Sequence, residues 1–126
     1  MLSEKSTFNA FLEAAKGKRV IGFGATRFIP EIAGLLSDND LAFDYLVDND
    51  FWRWGSVHCG IPVRSVGELY DEKLDEIVVL ICLNIPFGIE KQLDAMGITD
   101  CYAYCLWADL VYRRTGNPIP WYQILF

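Results

Sequence analysis

Histidine is nearly absent from this chain, His58 being the only one. A zinc site draws about four ligands from Cys, His and carboxylates. The four cysteines, Cys59, Cys82, Cys101 and Cys105, form no C-x-x-C pair. The expectation is therefore no metal site, no redox dithiol and no disulfide framework. No stretch reaches the roughly 20 apolar residues of a membrane helix. The longest run, residues 77–83, has the length of a strand. Residues 1–17 interleave Glu4, Lys5, Glu13 and Lys16 with apolar side chains, so they lack the uninterrupted core of a secretory signal. Basic charge is scarce as well: 11 Lys+Arg stand against 17 Asp+Glu, for a net charge of −6. That balance lacks the positive field of a nucleic-acid or anionic-membrane binder. The expectation is a cytoplasmic protein that engages neither. No Tyr-x-x-x-Lys pair or other proton-relay motif occurs, and no linker, repeat or low-complexity tract divides the chain.

What is present is apolar and periodic. With 126 residues, 52% of them hydrophobic, the chain suits one domain with a substantial core. Residues 1–17 read as a helix. Phe8, Phe11, Leu12 and Ala15 share one face, Ser6 or Thr7 can cap the start, and Gly17 can end it. Residues 18–24 form a first strand that stops at glycine. Residues 25–38 read as a helix with Ile29, Ile32, Ala33 and Leu36 in a stripe and Pro30 in the first turn. A second strand covers 43–47. Residues 49–60 read as a polar and aromatic loop, followed by a short extended piece at 60–63. Ser65 and Glu68 have capping-box spacing before a brief helix at 66–70.

The run Ile77-Val78-Val79-Leu80-Ile81 does not alternate. A continuous β-branched run means that both faces are covered, as in a parallel sheet between helices. Another helix follows Asn84 and Pro86, with Ile89, Leu93 and Met96 on one face and Gly97 at its end. A last short strand covers 100–105. Strands alternate with helices, so the fold class is α/β. The expected architecture is a Rossmann-like, three-layer α/β/α domain with a mostly parallel sheet of four to five strands and the first strand central. The expected organisation is a helix at 1–17, a core at 18–105 and an aromatic tail at 106–126. A tail with Trp107, Tyr112, Trp121, Tyr122 and Phe126 is expected to fold back, to meet a second copy in a homodimer, or to lead into a partner domain.

In such sheets ligands bind beyond the carboxyl ends of the strands, where the strand order reverses. Here that place is the turn Gly24-Ala25-Thr26-Arg27, which opens a helix whose free N–H groups attract phosphate. Thr26 can offer a hydroxyl and Arg27 a guanidinium. Asp48 follows the glycine turn at nearly the spacing of a ribose-binding acid, about 20 residues, with Asn49 and Asp50 beside it. Asn84, at the end of the buried strand, reads either as a helix cap or as a pocket residue. The glycine pattern is incomplete. Written from Gly24, G-x-G-x-x-G becomes Gly24, Thr26 and Ile29, which puts side chains where a pyrophosphate and close helix packing need room. On the bland reading, Gly24 only turns the chain and Asp48 is solvated.

Trp52 and Trp54 can stack on a base or sugar ring or can pack the loop onto the sheet. Arg53 and Arg64 read as surface residues rather than phosphate ligands. His58 and Cys59, adjacent in an extended segment, point to opposite faces and do not form a nucleophile–base pair. No catalytic residue is expected.

The stretches Val20-Ile21-Gly22-Phe23-Gly24-Ala25, Asp44-Tyr45-Leu46-Val47-Asp48-Asn49-Asp50, Trp54-Gly55 and Gly60-Ile61-Pro62-Val63, with Leu69, resemble a Rossmann-like nucleotide-binding domain. The domain is similar to the N-terminal domain of bacterial sugar acyltransferases and to the accessory domain of sugar-modifying methyltransferases and glycosyltransferases. The resemblance spans about residues 18–105. It implies a UDP-sugar held by Gly24, Ala25, Thr26 and Asp48, in cell-surface polysaccharide or sugar metabolism, while the glycine turn by itself leaves NAD(P) open as the nucleotide. A catalytic β-helix or methyltransferase domain has no counterpart here, so the resemblance implies an accessory module beside a sugar-modifying partner. The leading expectation is a non-catalytic nucleotide or nucleotide-sugar binding module. The alternatives are a degenerate scaffold for protein interaction or dimerisation and a small NAD(P)-dependent enzyme.

Overall fold

The computed structural model describes residues 7–107. The first six residues of the expected N-terminal helix and most of the expected aromatic tail, 108–126, lie outside that range. Helix α1, Phe8–Ala15, starts at Thr7, whose hydroxyl accepts the Ala10 N–H at 3.1 Å. It ends before Gly17, whose φ of +70° turns the chain into β1. Phe11 and Ala15 are buried, and Phe8 and Leu12 pack beside them, the face that the spacing predicts.

Strand β1, Arg19–Phe23, lies at the centre of a six-stranded sheet. It pairs in parallel with β2, Phe43–Asp48, on one side and with β5, Ile77–Ile81, on the other. Strand β4, Ile61–Ser65, extends the sheet in parallel beyond β2, and β6, Cys101–Ala103, does so beyond β5. The two-residue strand β3, Val57–His58, pairs antiparallel with β4 and makes the sheet mixed. The spatial order is β3-β4-β2-β1-β5-β6. The chain therefore adds strands outward from β1 first on one side, then on the other, and the reversal lies between β1 and β5.

The expected four or five strands become six because the segment read as a loop folds into a hairpin. Cys59 and Gly60 form its two-residue turn, with φ of +53° and +81°. Two successive positive φ values match the right-handed twist of the flanking strands. The extended piece after Gly60 is longer than expected and runs into the sheet through its pairing with β2. The last strand is shorter than expected: it gives way to a 3₁₀ turn, Tyr104–Trp107. That turn seats the Trp107 ring 5.2 Å from Phe8 and 5.1 Å from Phe11.

Each face of the sheet carries its own apolar cluster. Helix α1 and helix α2, Ile29–Ser37, bury Phe11, Ile29, Ile32 and Leu36 against Val20, Leu46, Val78 and Leu80 on one face. Helix α3, Phe87–Ala95, buries Leu93 against Ile21, Phe23, Val79 and Ile81 on the other. All five residues of β5 are therefore buried, which explains the run without alternation. A 3₁₀ turn at Val66–Asp71, rather than an α-helix, crosses behind β4, and Ser65 makes no side-chain cap to it. The Ser65–Glu68 capping box therefore does not form. No helix among the described residues is long and apolar enough to cross a membrane.

Gly22 marks the tightest point of the sheet. A Cβ there would lie 2.5 Å from Leu46 Cδ2 and 2.8 Å from Phe43 Cε1. Leu46 is fully buried and cannot swing away. Gly22→Ala is expected to lower stability by about 1–3 kcal/mol through overpacking. Gly88→Ala, in α3 with nothing within 4 Å, is expected to be neutral or stabilising. Urea unfolding of both variants checks the contrast, and equal midpoints would contradict it.

Alkaline pH is expected to unfold the protein early. Burial pushes the Cys105 thiol up to about 11 and raises the Cys82 thiol further. Burial, with Glu72 and Glu31 nearby, also raises the Tyr45 and Tyr104 phenols. Unfolded Cys and Tyr ionise near 8.5 and 10. Between those values and the folded ones the unfolded chain holds fewer protons, so stability falls as pH rises. The loss begins above about pH 8.5, continues through pH 11, and is shallower in Cys105→Ala. Urea midpoints across pH 8–11 measure it.

Candidate functional site

The carboxyl ends of β1, β2 and β5 carry the loops that meet at the strand reversal. After Phe23 the chain turns at Gly24, where φ is +110° and the N–H donates to the Val47 carbonyl at 2.8 Å. A side chain at this position would be strained and would meet Leu83, whose Cγ and Cδ2 lie 3.0 Å from the place of a Cβ. The helix expected from residue 25 begins at Ile29, because residues 25–28 form the turn itself.

Thr26 explains that delay. Its hydroxyl donates to the Cys82 carbonyl at 2.9 Å and accepts the Phe28 N–H at 3.3 Å. Its carbonyl accepts the Ile29 N–H at 3.3 Å and His58 Nε2–H at 2.8 Å. One threonine thus ties the β1 turn to the segment after β5, to the start of α2 and to the β3–β4 hairpin. Among the described residues, the N–H groups of Thr26 and Arg27 make no hydrogen bond. Arg27 is exposed, with its guanidinium 5.2 Å from the Phe28 ring centroid.

Asp48 ends β2 directly beside this turn. One carboxylate oxygen accepts the Ala25 N–H at 2.9 Å, and the other accepts the Asp50 N–H at 2.8 Å. The Asp48 carbonyl accepts the Trp54 indole N–H at 2.7 Å. Each carboxylate oxygen keeps a lone pair, because an ionised carboxylate has about four acceptor sites. Asn49, exposed, forms a two-way amide pair with Gln92 of α3, at 2.9 and 2.8 Å.

Gly24, Ala25, Thr26, Arg27, Asp48 and Asn49 therefore cluster at one corner. Asn84 sits half-buried in the segment after β5. It does not cap α3, whose N-cap residue is Pro86 with no side-chain cap. Trp52 and Trp54 do not pack the loop onto the sheet, being 81% and 45% exposed. Arg53 lies 3.7 Å from Asp50, and Arg64 pairs with Glu68 at 3.5 Å and stacks 4.4 Å from the Tyr45 ring centroid. Among the described residues, no group of three or more His, Cys, Asp or Glu could hold a metal ion.

Gln92 and Leu83 were not singled out by sequence, and His58 was weighed only as half of a nucleophile–base pair. His58 reaches Thr26 only because the hairpin folds its strand back toward the turn. Gln92 reaches Asn49 through the placement of α3. Leu83 fills space against Gly24. The only advance signal was the Cys59-Gly60 step between two β-rich residues, and it is weak because Cys carries no strong turn preference.

A cavity of about 430 Å³ lies elsewhere, between α3 and β6, lined by Phe87, Glu90, Lys91, Asp94, Ile98, Thr99 and Cys101.

Asp48→Ala removes acceptors from two loop N–H groups and is expected to cost about 1–3 kcal/mol. Hydrogen exchange at the Ala25 and Asp50 amides is expected to speed up in the same variant. An unchanged urea midpoint with unchanged exchange would show that the turn holds itself. Comparisons with family models, with curated proteins and with solved structures each returned no match.

Proposed function

We propose that this chain is a Rossmann-like, non-catalytic module that binds a nucleoside diphosphate or nucleotide-sugar at the corner formed by Gly24–Arg27 and Asp48. The observation that carries the reading is the turn after β1. It sits at the strand reversal and, among the described residues, leaves two successive N–H groups, those of Thr26 and Arg27, without a hydrogen-bond partner. Successive free amides in the turn that leads into a helix suit a phosphate, and the exposed Arg27 side chain on the same turn can add a guanidinium. Asp48 adds remaining lone pairs for ribose hydroxyls while its carboxylate holds the turn in shape.

The same corner favours a short ligand over a dinucleotide. NAD-type ligands cross the crevice from one half of the sheet to the other. The Thr26–Cys82 hydrogen bond and the Leu83 side chain occupy that crossing. A UDP-sugar need only lie along the β1–β2 side. Near the corner His58 Nε2–H donates to the Thr26 carbonyl.

One observation favours a second reading. The stitching of the crevice by Thr26, Leu83 and His58 is also what a degenerate scaffold would show, its ligand space refilled by side chains.

A thermal-shift and calorimetry panel with UDP, UDP-sugars, NAD, NADP, CoA and S-adenosylmethionine separates the two. A ligand at about 100 times its dissociation constant adds roughly 2.7 kcal/mol of stability. The proposal expects shifts with UDP and UDP-sugars and little with NAD or NADP. No shift with any of them at millimolar concentration would leave the scaffold. Arg27→Ala is expected to weaken UDP binding about tenfold without changing the melting temperature.

A further inference from the structure

We infer that His58 is the positioning residue of the glycine turn: its imidazole holds the Thr26–Arg27 peptide in the orientation that presents the Arg27 N–H to a ligand. The inference rests on the reading of the turn above and names the residue on which the anion-binding capacity of that turn depends.

A backbone carbonyl can only accept, so the 2.8 Å contact between His58 Nε2 and the Thr26 carbonyl requires a proton on Nε2. The same carbonyl accepts the Ile29 N–H, but at 3.3 Å, beyond the usual length of an N–H···O bond. The imidazole is therefore the closer of the two groups that hold this oxygen. The peptide that carries the oxygen is trans and planar, with the carbonyl and the Arg27 N–H on opposite sides. Pinning the oxygen toward His58 thus aims the Arg27 N–H away from it, where it makes no hydrogen bond among the described residues. A peptide rotated by half a turn would reverse this. A carbonyl oxygen would then stand where the N–H stands and would repel an anion.

The imidazole is delivered by strands that are themselves held. His58 lies in β3 opposite Ile61 of β4, across the turn at Cys59 and Gly60. The Gly55 N–H donates to the Val63 carbonyl and the Val63 N–H to the Ser56 carbonyl, each at 2.9 Å, which ties the root of β3 to β4. Strand β4 is bound in turn to β2 along Leu46, Val47 and Asp48. An earlier peptide of the turn, Gly24–Ala25, is held by its other end, since Asp48 accepts the Ala25 N–H at 2.9 Å. Asp48 thus grips the turn by an N–H and His58 grips it by a carbonyl. The Thr26 hydroxyl does not replace His58, because it bonds Cys82 and Phe28 and holds neither end of the Thr26–Arg27 peptide. The β3–β4 hairpin therefore has a task at the site: it brings in the donor that sets this peptide.

The test uses the full chain, His58→Leu, which keeps bulk without a donor, and His58→Gln, which places an N–H at nearly the reach of Nε2. In the wild-type chain, nitrogen NMR of the ring is expected to find a proton on Nε2. A ring protonated only at Nδ1 would overturn the proposal without any variant. The nuclear Overhauser effect between Thr26 Hα and the Arg27 N–H reads the orientation of the peptide between them. It is expected to change in His58→Leu and to stay as in the wild-type chain in His58→Gln, a signature that a general loss of stability would not give. Calorimetry with UDP is expected to show about tenfold weaker binding to His58→Leu, the size of one hydrogen bond, with most of the affinity restored in His58→Gln. An unchanged Overhauser effect or unchanged UDP affinity in His58→Leu would overturn the proposal. So would a loss in His58→Gln as large as in His58→Leu. A wild-type chain that binds no UDP at millimolar concentration would remove the reading of the turn and the ligand half of this inference with it, whereas the Overhauser effect alone decides the positioning half.

Discussion

A single aspartate holds the working corner of this fold together. Asp48 ends β2, and from there its two carboxylate oxygens and its carbonyl reach three places: the Ala25 amide, the Asp50 amide and the Trp54 indole. Two of these bonds are charge-assisted, and such bonds are roughly twice as strong as neutral ones. Without them the glycine turn and the aromatic loop would have no common anchor. The cost falls on a position that the spacing assigned to a ligand. Asp48 is a structural brace first, and whatever it offers a ribose comes from the lone pairs that remain.

The brace stands on a sheet whose central strands are buried on both faces. Strand β1 is buried on both faces and is flanked by β2 and β5, so the three loops leaving their carboxyl ends are fixed within a few ångströms of one another. Gly22 lets β1 sit flush against Leu46 and Phe43. Farther out, charge replaces packing. At the opposite, amino-terminal edge Arg19 joins Asp44 at 2.6 Å and Glu72 at 2.7 Å, a half-exposed cluster that ties the start of β1 to the start of β2. Exposed pairs of this kind contribute little each, about 0–1 kcal/mol. The fold therefore rests on its two apolar clusters, and the ion pairs set alignment rather than stability.

The sequence was most legible where burial and periodicity agree. The run at Ile77–Ile81 announced a doubly covered central strand, and the spacing of Phe8, Phe11 and Ala15 announced the buried face of α1. Pro30 sits in the first turn of α2 as its ring geometry dictates. Legibility failed where backbone geometry depends on contacts distant in sequence. The hairpin at Val57–His58 and Ile61–Ser65 carries no Asn-Gly or Asp-Gly step. Its second strand was legible as the extended piece at 60–63, but β3 and the pairing that makes the hairpin were not. Ser65 and Glu68 have capping-box spacing, yet the turn that follows is 3₁₀ and its hydrogen bonds leave the box no role. At the corner, residue types and spacing brought Gly24, Thr26 and Asp48 together. They could not say that Thr26 would spend its hydroxyl on Cys82 or that His58 would arrive from the hairpin. Those bonds join residues 56 and 32 positions apart, and no local pattern encodes them.

Thr26 then gives a physical meaning to the incomplete glycine motif. A glycine in its place would leave an open crevice and a loop free to deform around a pyrophosphate. Threonine closes the crevice with its hydroxyl, and the same hydroxyl caps Phe28, so the helix start no longer needs an anion to satisfy that amide. Beside that hydroxyl stand the Thr26 and Arg27 amides, which make no hydrogen bond among the described residues, and the exposed Arg27 side chain. In the proposed reading the lost glycine exchanges reach across the sheet for rigidity along one side of it. Within that proposal, this exchange of reach for rigidity along one side suits a short ligand better than one that spans the sheet. It is also the change that would disable a dehydrogenase, whose nicotinamide has to cross the closed line from β1 to β5.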